Sequence, residues 1–97
     1  MLSQGYFRDP YNNWDVLWQF GLSWWTDVIP MLDQEARLSV PQAERLLQML
    51  RDREGTFEER VEAIRAEEQA YFRRRSVELR AFLNQAIALD EPIDCSL

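Results

Sequence analysis

The sequence predicts an all-α fold: a small bundle of three helices, completed by oligomerisation. Two helix-start signatures, at Ser39 and at Thr56, each open a charged segment with helical apolar spacing. The segment NWDVLWQFGLSWWTDVIPML, residues 13–32, holds all four tryptophans of the chain, with apolar residues three and four apart. A hydrophobic fraction of 46% beside a charged fraction of 29% marks a globular chain rather than a disordered one.

Residues 1–12 read as an irregular arm. Gly5, Pro10 and the pair Asn12-Asn13 are turn formers, and Tyr6, Phe7 and Tyr11 give the arm aromatics that should pack on something. The first helix is expected near residues 14–30, capped by Asn12 or Asn13, with Asp15 favouring the positive end of the dipole. One stripe runs through Trp14, Trp18, Gly21, Trp25, Val28 and Leu32, and a second through Leu17, Phe20, Trp24 and Met31. Together they cover most of the circumference. A helix apolar nearly all round must be buried on more than one side, which one short and one long neighbour cannot do. The surplus points to a second subunit or another partner. Gly21 sits in the seam, where it admits a close backbone, and Pro30 should kink the helix or end it near Ile29.

Ser39-Val40-Pro41-Gln42 is a capping box with proline in the first turn, where the missing N–H costs little. It opens a helix expected over residues 40–54, with Val40, Ala43, Leu46, Leu47, Met49 and Leu50 as its apolar face and Gly55 as its stop. Thr56-Phe57-Glu58-Glu59 opens the third helix, expected over residues 57–90 and roughly 50 Å long at 1.5 Å per residue. Its seam reads Phe57, Val61, Ile64, Glu68, Tyr71 or Phe72, Arg75, Leu79, Phe82, Ala86 and Leu89, apolar at both ends and polar in the middle. Pro92 closes it and leaves a tail, residues 91–97. No substantial sheet is expected, and residues 1–97 make one domain.

Composition narrows the chemistry. The chain has no histidine, and its 11 basic residues are all arginine, so there is no imidazole base, Schiff-base lysine or histidine metal ligand. A net charge of −6 repels nucleic acid and anionic lipid. The single Cys95 forms no internal disulfide, which fits a reducing cytoplasm. The N-terminus lacks the pattern of a signal peptide, and Gln19, Ser23, Thr26, Asp27 and Pro30 interrupt the apolar run too often for a membrane span. No triad, phosphate loop, dinucleotide fingerprint or zinc spacing is present, so no enzymatic activity, metal or cofactor is expected.

Three features on the last helix invite a functional reading. Arg73, Arg74 and Arg75 follow Tyr71 and Phe72, and guanidiniums beside aromatic rings can grip an anionic ligand such as a nucleotide. Against this, consecutive helical residues point 100° apart, and a solvated face with Arg74 paired to Glu78 explains the same residues. Glu58, Glu59, Glu62, Glu67 and Glu68 form an acidic stretch best read as a solvated face with pairs such as Glu62 and Arg65. Glu68 and Arg75 occupy seam positions one heptad apart, where polar residues either set register and oligomeric state or project beyond the neighbouring helix into solvent.

The expected function is a protein–protein interaction module, homo-oligomeric and non-enzymatic, acting as an adaptor, subunit or inhibitor. Its interface would use Trp14, Trp18, Phe20, Trp24, Trp25, Glu68 and Arg75. The alternative is an oligomeric binder of a small anionic ligand through Tyr71, Phe72, Arg73, Arg74 and Arg75 at a subunit junction.

Overall fold

The computed structural model describes the backbone of residues 2–3 and 12–94 and the side chains of residues 16–93. Tyr6, Phe7, Tyr11, Cys95 and the side chain of Trp14 lie outside the described residues. The architecture is mostly helical. In chain order the elements are β1 (Leu2–Ser3), α1 (Asn12–Gln19), a π turn (Trp24–Val28), a 3-10 turn (Ile29–Met31), β2 (Arg37–Leu38), α2 (Val40–Asp52), α3 (Glu54–Glu62), α4 (Ala66–Leu89) and β3 (Ile93–Asp94).

The expected tryptophan helix over residues 14–30 is not continuous. Gly21 ends α1 with φ 77°, the left-handed region that glycine enters without a Cβ penalty. Leu22 donates its N–H to the Leu17 carbonyl at 3.0 Å and Gly21 to that of Trp18 at 2.9 Å, the pair of bonds that defines a Schellman motif. Leu17 and Leu22, the two apolar positions of that motif, are both buried. The chain re-enters helical geometry at Trp24, where Asp27 Oδ2 accepts the Ser23 N–H at 2.7 Å. Ile29 donates to the Trp24 carbonyl, giving the turn its wide gauge, and Pro30 follows inside the 3-10 turn.

A tight loop links this segment to β2. Asp33 Oδ1 accepts the N–H groups of Glu35 at 2.8 Å and Arg37 at 3.0 Å, while Ala36 adopts φ 59°. The backbone N–H of Arg37, above all, holds the Asp33 carboxyl below its ordinary value of 3.8; burial opposes this, and the N–H of Glu35 and the Arg37 charge add to it. A lowered carboxyl stabilises the folded loop above pH 3.8, and that contribution fades as pH falls through the lower folded value. In a carboxyl-detected NMR titration Asp33 should titrate below 3.8; a midpoint at or above it would contradict the loop geometry.

Ser39 caps α2 as its sequence indicates, its Oγ accepting the Gln42 N–H at 3.4 Å with Pro41 in the first turn. Ala43, Leu46, Leu47 and Leu50 form the buried face. The expected stop at Gly55 and start at Thr56 do not hold. Arg53 alone, at φ −112° and ψ 18°, separates α2 from α3, and both Gly55 and Thr56 lie inside α3.

The expected third helix over residues 57–90 is two helices. Arg65 is extended, with φ −65° and ψ 148°, and Gln69 Nε2 donates to the Ile64 carbonyl at 2.8 Å across the break. The break turns α3 back along α4, so that Glu58 meets Arg73 and Glu54 meets Arg80. α4 runs about 36 Å at 1.5 Å per residue and packs on α1, α2 and α3. Val16, Phe20, Leu22, Leu50, Val61 and Leu83 fill the centre of the core. α4 ends in a second Schellman motif with Asp90 in the left-handed position, its N–H to the Ile87 carbonyl and that of Glu91 to Ala86.

The three two-residue strands form a small sheet that the sequence did not announce, in the order β1, β3, β2. β3 runs parallel to β1 and antiparallel to β2, pairing Ile93 with Leu2 and with Leu38. Leu38 and Ile93 are both buried, so the sheet is tied into the helical core.

Candidate functional site

Breaking the tryptophan segment distributes its rings. Val16, Leu17, Phe20, Leu22 and Val28 take the core positions, and Trp24 packs half-buried against them. Phe20, expected at an interface, is fully buried within the chain and stacks on Phe57 at 4.4 Å between ring centroids, 23° from parallel. Trp18 and Trp25 remain on the surface at 60% and 66% exposure, with Ile29, four residues after Trp25, also exposed. Trp14 stands in the first turn of α1, its side chain outside the described residues.

Trp18 is tied to α3 through Arg60, which the sequence did not single out. Arg60 Nη1 donates to the Trp18 carbonyl at 2.6 Å, and the guanidinium lies over the indole with its carbon 5.4 Å from the ring centroid. Gly21 sets the turn beside this contact through its φ of 77°, while a Cβ there would make only ordinary contacts with Thr56 Cγ2 at 3.5 Å and Arg60 Nη2 at 3.9 Å. The signal for this contact is tertiary: 42 residues separate the partners.

The arginine triplet does not converge. Arg73 Nη1 donates to both carboxylate oxygens of Glu58 at 2.8 Å, clamping α4 to α3. Arg74 is exposed and lies over the Tyr71 ring at 5.6 Å. Arg75 is buried at 8% exposure and donates to Glu78 Oε1 at 2.7 Å. Glu78 is therefore the partner of Arg75 and not of Arg74. Tyr71 and Phe72 meet edge to face at 5.2 Å, with Phe72 packed against the core. Of the two polar seam positions, Glu68 is exposed in the first turn of α4 and Arg75 is buried. Arg65 makes no ion pair with Glu62 among the described residues.

An open cleft of about 240 Å³ lies between α3 and α4, lined by Phe20, Glu54, Phe57, Glu58 and Arg80. Its carboxylates are already engaged: Glu54 by Arg80 at 3.0 Å and Glu58 by Arg73. Among the described residues no three carboxylates or thiols gather as metal ligands, and no helix is long and apolar enough to cross a membrane. Trp18, with Arg60 over its ring, and Trp25 are the exposed aromatic side chains of highest accessibility among the described residues. No family model, curated protein sequence or solved structure matches this chain.

Proposed function

We propose that this chain is a small acidic helical protein–protein interaction module, an adaptor, subunit or inhibitor-type protein of the cytoplasm that works without a catalytic step. One observation carries the reading: Trp18 and Trp25 stand 60% and 66% exposed in a chain whose other described aromatics are buried or half-buried. Exposed tryptophan leaves a large apolar area in water, and tryptophan and arginine dominate the residues on which protein interfaces depend.

Self-association belongs to the Trp25 and Ile29 stretch. Its charged side chain, Asp27, is half-buried and accepts the Ser23 N–H, and the exposed Trp25 and Ile29 offer apolar area able to meet its own copy across a twofold axis. Sedimentation at micromolar concentration should give a dimer or larger mass, and Trp25→Ala should weaken the assembly by roughly thirtyfold or more with helical content unchanged. A wild-type mass equal to one chain would sink self-association. The alternative reading, an anionic ligand gripped by Arg73, Arg74 and Arg75, draws less support, because two of those guanidiniums are spent on Glu58 and Glu78.

A further inference from the structure

We infer that the edge built by Trp18 and Arg60 docks an acidic segment of another protein, one presenting a carboxylate beside an apolar side chain. The inference rests on the interaction-module reading and names the chemistry of the partner.

The guanidinium of Arg60 is held in place before any partner arrives. The Trp18 carbonyl takes one of its N–H donors at 2.6 Å, and the indole supports its face at 5.4 Å. A planar guanidinium has five donors in a fixed fork, so a preorganised one offers its remaining donors at little entropic loss. No carboxylate pairs with Arg60 among the described residues, although the chain has 17 acidic residues against 11 basic ones. Arg37, Arg73, Arg75 and Arg80 have all found carboxylates. Arg53, the junction residue before α3, is exposed and likewise makes no ion pair among the described residues. What separates Arg60 from other exposed arginines such as Arg45 and Arg51 is this clamp onto an exposed tryptophan.

The edge therefore sets a guanidinium with no carboxylate partner among the described residues against an exposed indole, and its complement is a carboxylate next to an apolar group. Docking would cover the indole, exclude water, and strengthen both the cation–π contact and the new charge-assisted hydrogen bond. A second copy suits the edge poorly. A twofold contact centred on Trp18 sets Arg60 against its own copy, on chains that each carry a net charge of −6.

The test is selection of short random peptides displayed on phage against the full chain, followed by fluorescence anisotropy with the enriched peptides. Enriched peptides should place Asp or Glu next to Leu, Phe or Trp. Trp18→Ala and Arg60→Glu should each weaken their binding roughly ten- to hundredfold, and Arg60→Gln nearly as much, with unchanged circular dichroism. Trp25→Ala should leave this binding intact. Enrichment of basic or uncharged peptides, or acidic peptides that bind Arg60→Glu as tightly as the wild type, overturns the inference while leaving the module reading in place. So does an oligomer that Trp18→Ala dissolves, because a second copy would then own the edge. A selection that enriches nothing removes docking at this edge, and self-association at Trp25 keeps its separate sedimentation test.

Discussion

Replacing Phe20 by alanine should destabilise the fold by about 3–5 kcal/mol. The ring is wholly inaccessible, stacked on Phe57, and adjoins the turn at Gly21 that redirects the chain. Truncation therefore removes the burial of an aromatic side chain and opens a void that Val16, Leu22 and their neighbours cannot fill without moving off their rotamers. Domains of this size have about 5–15 kcal/mol in total, so the variant should lie near the limit of folding. A urea melt reads the change directly. If Phe20→Ala unfolds at nearly the wild-type midpoint, the ring is not where the core needs it. Trp25→Ala is the contrasting control, with an expected loss within about 1 kcal/mol because its ring is mostly in solvent.

Reversing the charge at Arg75 should also cost about 3–5 kcal/mol, through a different mechanism. The wild-type guanidinium is buried and bonded to Glu78. Arg75→Glu puts a carboxylate in the same place, facing the Glu78 carboxylate, with the desolvation of the charge no longer offset. Arg75→Met keeps much of the volume and removes the charge, so it should be far milder. Arg74→Glu changes the charge by the same two units one residue earlier, but at an exposed position, and should shift stability within about 0.5 kcal/mol. Equal melting behaviour for the two reversals would refute the burial of Arg75.

These two residues also show how far the sequence could be read. The helical period places Arg75 against a neighbour, and within this chain its side chain is already buried and bonded to Glu78. Phe20 was likewise recognised as apolar and facing something, with the surplus assigned outward. The error has a single origin. Reading residues 14–30 as one helix left two stripes to bury, whereas the Schellman turn at Gly21 rotates the chain and lets Phe20, Leu22 and Val28 all point inward. The pattern of Leu17 and Leu22 flanking Gly21 carries that turn in local form.

Local chemistry was legible elsewhere. The Ser39 cap, the buried face of α2 and the end of α4 before Pro92 depend on neighbours a few residues apart. The break at Ala63, Ile64 and Arg65 does not: no glycine or proline marks it, and doubling back is what brings Phe57 and Val61 of α3 into the core with Leu79, Phe82 and Leu83 of α4, with the exposed pairs Glu54–Arg80 and Glu58–Arg73 accompanying it. Gly55 misled in the opposite direction, since a glycine in the first turn of α3 is tolerated at a penalty of about 0.5–1 kcal/mol without stopping the helix. At the candidate site the sequence singles out Trp18 and Trp25 but not Arg60, whose place comes from a contact across 42 residues.

The small sheet bears on the order in which the molecule assembles. Pairing Leu2 with Ile93 closes nearly the whole chain into one loop, whereas α2, α3 and α4 are joined by connections of one to three residues. Loop closure over about 90 residues carries an entropic penalty on the order of 4 kcal/mol, against a fraction of that for the hairpin of α3 on α4. Local helical contacts therefore nucleate folding and do so quickly, and the strands add to a helical core that already exists. In reverse, the sheet is the natural first unit to open, through excursions that leave the helices intact. Hydrogen exchange at the Ile93 amide then reports a low-energy opening, and exchange at Leu83 in the middle of α4 reports the whole molecule coming apart.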